Sequence, residues 1–414
     1  MSQSNKESLL PPDAQNPAEQ RTVTKILFAL SFSHAVNDTI QALLPSIYPL
    51  LKKSFDLNFA QIGLITLVYQ CVASLLQPFV GIYTDRKPKP YSLALGMSFT
   101  LVGIVMVAFS NSFHMLLFAA ALVGAGSSVF HPEASRVAHM AAGQRHGFAQ
   151  AVFQVGGNFG TSLGPLMAAW IIVPNGQHAT AWFGILALMG ILVLARVGGW
   201  YAKNLTRGKV SKKALQVAVH LPRHRVHLAV IVLVILVFSK YVYLVSLTNY
   251  YTFYLIHHFG VSVQESQLYL FLFLFAVALG TILGGPIGDR FGRKYVIWFS
   301  IFGVAPFSLI LPHVGLTATA VLSFIIGVVL ASAFSAIIVY AQELIPGKVG
   351  LIAGMFFGFA FGISGIAASA LGFIADKTSI EQVFTFCAYL PLIGVIAIFL
   401  PNLRKMQKVA QTVA

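Results

Sequence analysis

The chain has 414 residues, of which 57% are hydrophobic and 9% charged, with a mean hydropathy of +0.79. Soluble domains carry ~25% charged residues, so this composition excludes an ordinary soluble protein and indicates an integral membrane protein. A formal net charge of +15 would suit a nucleic-acid partner, but the placement of that charge gives it another origin.

Residues 1–22 are polar, contain Pro11, Pro12 and Pro17, and read as a disordered cytoplasmic tail without a cleavable signal peptide. Six apolar runs follow at about 23–51, 59–83, 91–110, 114–138, 147–173 and 179–201, each near the ~20 residues that cross a bilayer as a helix. A basic linker at 202–224 carries Lys203, Arg207, Lys209, Lys212, Lys213 and Arg223. Six more runs lie at about 226–258, 264–288, 294–312, 316–343, 349–374 and 380–400, before a second cytoplasmic tail at 404–414. With both termini inside, all Lys and Arg except Lys52, Lys53, Lys377 and Lys240 fall in cytoplasmic segments or at their helix ends. That is the positive-inside bias of a membrane protein, and it requires no nucleic acid. Cys71 and Cys387 both sit in apolar runs and read as packing residues.

The two halves repeat. Phe32-Ser33-His34 in the first run returns as Phe238-Ser239-Lys240 in the seventh. Gly81-x-x-x-Asp85-Arg86 after the second run returns as Gly285-x-x-x-Asp289-Arg290 after the eighth. Two six-helix halves in the same orientation are a transporter signature. The predicted fold is therefore an all-α membrane protein. Its twelve transmembrane helices form two pseudo-symmetric six-helix bundles, 23–201 and 225–403.

The loop motif stands complete in the second half as Gly285, Asp289, Arg290, Gly292, Arg293 and Lys294; in the first half Pro88 and Pro90 replace its later members. This motif, with the duplication, resembles the major facilitator superfamily over nearly the whole chain. Gly156-Gly157-x-x-Gly160-x-x-x-Gly164-Pro165 in the fifth run resembles the Gly-Pro signature of that superfamily's proton-coupled antiporters. The stretches Gly126–Glu133 and Phe153–Gly160 resemble its drug-exporting members most closely. The resemblance implies a proton-coupled antiporter that exports a small drug from a bacterium through its inner membrane, with the proton gradient as energy source and no cofactor.

Few ionisable residues lie deep in the apolar runs. Asp38 in helix 1 and Lys240 in helix 7 are stranded where a charge costs ~3 kcal/mol or more. Opposite charges at one depth relieve each other's desolvation. The pair reads either as a proton-sensitive couple, with Lys240 freed to hold an anion, or as a permanent link between the halves. His131, Glu133 and Arg136 form a second constellation on helix 4. Glu133 and Arg136, three apart, share a face, as a second proton site or as a clasp at the cytoplasmic end. His34 and His131 are plausible proton carriers, with an ordinary pKa of ~6.5.

Polar candidates for a substrate pocket are Asn37, Gln41, Gln70, Gln77, Gln154, Asn158, Tyr241, Tyr243, Asn249 and Tyr250, with Tyr340, Gln342 and Glu343 closing helix 10. Each suits a bound phosphonate or hydroxamate, and each taken singly is more often an interhelical hydrogen bond. Gly156, Gly160 and Gly164 make a smooth stripe, expected to seal against helix 8 at Gly280 and Gly284, with Pro165 adding a bend. Gly81, Asp85, Arg86, Gly285, Asp289, Arg290 and Arg293 are expected to gate the cytoplasmic side. The expected partners are a small anionic or zwitterionic drug, protons and the lipid bilayer, around a monomer. An importer of a small anionic metabolite is the alternative within the same fold. A membrane-bound enzyme or sensor is the alternative outside it, supported by little beyond His257-His258. No Gly-x-x-x-x-Gly-Lys loop is present to bind ATP.

Overall fold

The computed structural model describes residues 22–143, 146–205, 222–345 and 349–403. The predicted tails and most of the 202–224 linker lie outside them. The first half runs α1 (Thr24–Ser46), α2 (Tyr48–Phe55), α3 (Phe59–Arg86), α4 (Ser92–Phe109) and α5 (Phe113–Ala141). It continues with α6 (His146–Met167), α7 (Val173–Asn175) and α8 (Phe183–Lys203). The second half runs α9 (Arg223–Phe259), α10 (Val263–Phe291), α11 (Arg293–Phe302), α12 (Ala305–Ile310), α13 (Leu316–Ala331), α14 (Phe334–Leu344), α15 (Val349–Lys377) and α16 (Ile380–Ala388). The short helices continue longer ones end to end, so the described residues form twelve rods, at the places where the apolar runs predict them. Among the described residues, nine stretches are long and apolar enough to cross a membrane unaided.

The breaks have local causes. α1 contains Pro45 and ends one residue later, and α2 restarts with Pro49 in its first turn. Pro165 removes a backbone donor inside α6, and the ladder re-registers as a π turn over Ala168–Ile172. α5, in contrast, runs on through Pro132. Side chains inside the bundles are oily and buried, such as Leu30, Ile40 and Leu43 on α1 and Leu233, Leu236 and Ile297 in the second half. Phe28, Leu192 and Ile398 are exposed. In water such a surface would be a liability; against lipid tails it costs nothing.

The halves meet along two seams, α3 against α15 and α6 against α10. Under the internal repeat α3 corresponds to α10 and α6 to α15, so the seams are copies of each other. At the end remote from the chain termini, the first seam is tight. A methyl on Gly63 would lie 2.5 Å from Ala368 O, and one on Gly372 would lie 2.3 Å from Phe59 O. Asn58 and Gln61 form a reciprocal capping box at the start of α3. Asp376 of α15 accepts hydrogen bonds from Phe59 N at 2.8 Å and Ala60 N at 2.7 Å, so the carboxylate of one half caps a helix of the other. Asp376→Ala should loosen this end. Spin labels placed on either side of the seam should show a longer-distance population in the variant. An unchanged distance distribution would mean that the cap holds nothing.

The glycine stripe of α6 corrects one expectation. It does not face α10: Gly156 abuts Ser31 O, Gly160 abuts Ala35 O and Gly164 abuts Ala42, all on α1. Gly280 and Gly284 of α10 abut Val328 and Ser332, within the second half. The stripe therefore binds the first bundle together. A methyl on Gly160 would sit 2.2 Å from Ala35 O, whereas one on Gly81 would meet nothing within 4 Å. Gly160→Val should cost ~1–3 kcal/mol through overpacking and lower the melting temperature of the detergent-solubilised protein, while Gly81→Ala should leave it unchanged.

Candidate functional site

α1 supplies the centre of the site. His34, Asp38 and Gln41 lie four and three residues apart, hence on one helical face, and the glycine stripe lets α6 close over that face. His34 Nε2 lies 3.2 Å from Asp38 Oδ2. From α5, His131 Nε2 lies 3.8 Å from Asp38 Oδ1. Asn37 Nδ2 donates to Asp38 Oδ1 at 3.0 Å. The Asp38 side chain is 16% exposed and that of His131 23%, against 3% for His34. The cluster is thus largely dry but open to solvent on the His131 side. His34, Asp38 and His131 offer atoms all within 4.8 Å of one another, close enough to share a single cation; a proton is the smallest that serves.

Aromatic rings and amides hold the cluster in place. His34 stacks on Phe153 with ring centroids 4.0 Å apart, and Phe130 lies 5.5 Å away. A methyl on Gly157 would lie 2.5 Å from the His34 ring, so only glycine leaves room for it. Beside His131, Ser127 Oγ donates to Gln41 Oε1 at 3.4 Å, and the Tyr69 hydroxyl of α3 donates to the same oxygen. From the second half, Phe361 of α15 meets His131 edge-on at 6.3 Å. The cluster therefore stands at the junction of the bundles.

Asp38 and Lys240, whose contact the sequence left open, do not pair in the structure. Asp38 has the two imidazoles as partners, and Lys240 is 3% exposed with no hydrogen bond to its Nζ among the described residues. His131, two residues before Glu133, points away from Glu133 and Arg136, as the helical spacing predicts. Different helical faces carry His131 toward Asp38 and the other two toward α3 and α4. Arg136 pairs with Glu133 at 3.4 Å and donates to Thr84 O at 2.5 Å and Thr84 Oγ1 at 3.1 Å. Ser92 Oγ donates to Glu133 Oε2 at 3.2 Å. Arg136 thus ties α5 to the last turn of α3.

Several expected substrate contacts are committed to helix packing. The Tyr250 hydroxyl of α9 donates to Ala368 O of α15 at 2.5 Å, within the second half. Asn249 accepts from Thr66 Oγ1 at 3.0 Å, and Tyr48 shares that hydroxyl at 2.6 Å. Tyr243 is buried in one hydrophobic cluster, and Tyr241 packs against a second one. Tyr340 donates to Pro401 O at 2.6 Å, and Glu343 pairs with Arg293. Amide atoms that keep buried, unbonded positions among the described residues are Asn37 Oδ1, Gln41 Nε2, Gln70 Oε1, Gln77 Nε2 and Asn158 Nδ2; Gln154 is half-buried. Unbonded buried amides need a partner from outside the chain, water or ligand. The side chains of Asp85, Arg86, Asp289, Arg290 and Gln342, and the surroundings of Gly285, lie outside the described residues.

Tyr69, Phe361 and Asp376 were not singled out from sequence, and Phe130, Phe153 and Gly157 stood there only inside motif stretches, with no role of their own. Gly157 had a signal: it breaks the every-fourth-residue spacing of the stripe and so had to serve something other than that packing.

A buried acid with two imidazoles, placed between duplicated helical bundles that join along copied seams, defines a two-bundle membrane transporter. The family model for the Major Facilitator Superfamily matches residues 30–254 and 230–412. The chain is 58% identical to the fosmidomycin resistance protein of Escherichia coli (strain K12), across 94% of this chain and 96% of that one. It is 40% identical to the MFS-type transporter YfnC of Bacillus subtilis (strain 168), across 95% and 98%. A solved bacterial homolog of the human lysosomal transporter Spinster shares the fold with a TM-score of 0.71 at 14% identity, covering 94% of this chain and 97% of its own. The chain belongs to the Major Facilitator Superfamily: it is a multi-pass membrane transporter and not an enzyme.

Proposed function

We propose that the protein exports a small anionic drug, fosmidomycin among its substrates, across the bacterial inner membrane in exchange for protons, by alternating access. The observation that carries this reading is the Asp38 carboxylate, which is largely dry, flanked by His34 and His131, and set at the junction of the two bundles. An ionisable residue at such a place is functional by default, and two imidazoles beside the acid give a proton more than one atom to sit on. The name of the Escherichia coli relative supports a drug as cargo. Lys240, buried without a partner among the described residues, supplies a cation for the anionic group. The basic bias of the terminal side supports cytoplasmic termini; the tight α3/α15 end then faces outward, and the shape shown is closed on that side. Boundaries near 23–201 and 225–403 for the two bundles, and a monomeric unit needing no cofactor, belong to the same proposal, as does gating by the Gly81 and Gly285 loops.

Everted membrane vesicles test it. With an acid interior, vesicles containing the protein should accumulate fosmidomycin, and collapsing the pH gradient should release it. Accumulation that ignores the gradient would remove proton exchange. Accumulation only in right-side-out vesicles would make the protein an importer.

A further inference from the structure

His34 Nδ1 lies 2.8 Å from Phe153 O, and His131 Nδ1 lies 3.1 Å from Ser127 O. A carbonyl oxygen only accepts, so each Nδ1 carries its ring's proton and donates it. In neutral imidazoles both Nε2 atoms then present lone pairs, and both are turned toward Asp38, at 3.2 Å and 3.8 Å. Two lone pairs facing a carboxylate in a mostly dry site repel it. One added proton converts the closer contact into a charge-assisted hydrogen bond.

We infer that His34, Asp38 and His131 form one proton-holding unit, loaded with a single proton in the shape shown, and that Phe361 of the opposite bundle is the positioning residue that keeps it loaded. The inference rests on the proton-exchange reading above. The two imidazoles have different parts. His34 is clamped by Phe153 O, by the stacked Phe153 ring and by the wall at Gly157. It shares the proton with Asp38. His131 is looser, more exposed and in edge contact with Phe361. Because α15 belongs to the second bundle, a rocking of the bundles carries Phe361 away from His131. Water then reaches Asp38 past His131 and takes the proton. Loading adds one proton between His34 Nε2 and Asp38 and raises the unit's charge from −1 to 0; release reverses this, with no other bond made or broken.

The groups facing the unit are few. α1 contributes His34 and Asp38 themselves, α5 contributes His131, and α3 contributes the Tyr69 hydroxyl through Gln41. The residues of α6 and α15 in contact, Phe153, Gly157 and Phe361, do not titrate.

Two measurements test the inference on the full chain in lipid nanodiscs and proteoliposomes. The first is nitrogen NMR of the protein labelled at histidine, with His34→Gln and His131→Gln used to assign the signals. Both residues should carry Nδ1–H, and the His34 Nε2 signal should show a shared proton. Neutral Nε2–H tautomers at both positions would overturn the unit, whatever the transport result. The second is the pH profile of fosmidomycin transport driven by a pH gradient. Phe361→Ala should move its midpoint to lower pH by about half a unit, because water admitted beside Asp38 favours the unloaded unit with its net negative charge, and Phe361→Leu should restore most of it. An unmoved midpoint in Phe361→Ala, with normal exchange of labelled for unlabelled fosmidomycin, would overturn the positioning role. If the unsubstituted protein shows exchange but no response to pH, the proton-exchange reading fails while the NMR result still stands or falls by itself.

Discussion

Asp38→Asn should insert, fold and exchange labelled for unlabelled fosmidomycin, yet lose accumulation driven by a proton gradient. The amide occupies the place of the carboxylic acid. Its Nδ2 can donate to His34 Nε2 across the present 3.2 Å contact, so the variant copies the loaded unit without a removable proton. Rocking with cargo on board remains, and net exchange against protons does not. One proton moving down 100 mV supplies ~2.3 kcal/mol, equivalent to roughly 50-fold accumulation, and that is the size of the expected loss. Side-by-side assays of gradient-driven uptake and of exchange in one vesicle preparation measure it. Full gradient-driven uptake by the variant would remove Asp38 from the coupling.

The sequence displays depth well and azimuth poorly, and the site shows both. Asp38 stood out because a carboxylate in the middle of an apolar run needs a function or a partner to keep it there. Its partners did not, because the length of a run places a residue along the membrane normal but does not fix where its side chain points around the helix. Lys240 matched Asp38 in depth and in the repeat, yet His34 from the next turn and His131 from α5 reach the acid instead. The same limit explains the glycine stripe. Gly156, Gly160 and Gly164 announce a close neighbour, but small residues carry no mark of which one, and α1 took the place expected for α10. The capping box at Asn58 and Gln61 has a local spacing that sequence can carry, though it was not read there. Asp376, which completes that helix start from 317 residues away, has no local signal. Twelve rods were legible because each rests on its own apolar run, and the copied loop motif disclosed how the two groups of six are related.

Lys240→Gln should weaken transport of an anionic substrate roughly 10- to 100-fold while a neutral ester of the same compound loses little. The range follows from the ~1.5–3 kcal/mol that a hydrogen bond to a charged group contributes. Ser239 next to it fixes α9 by donating to Leu390 O at 2.6 Å, which leaves Lys240 to a different task. An ammonium that is 3% exposed, with Nζ unbonded among the described residues, costs several kcal/mol to keep. A bound anion offsets that cost, and an apolar side chain avoids it. Lys240→Met should therefore raise the melting temperature of the substrate-free protein, or leave it unchanged, while abolishing the stabilisation that added fosmidomycin gives. A structural ion pair predicts the reverse, a melting temperature well below the unsubstituted protein's with no ligand present. Equal loss of transport for the anion and its ester, together with such a fall in melting temperature, would show that Lys240 supports the fold rather than the cargo.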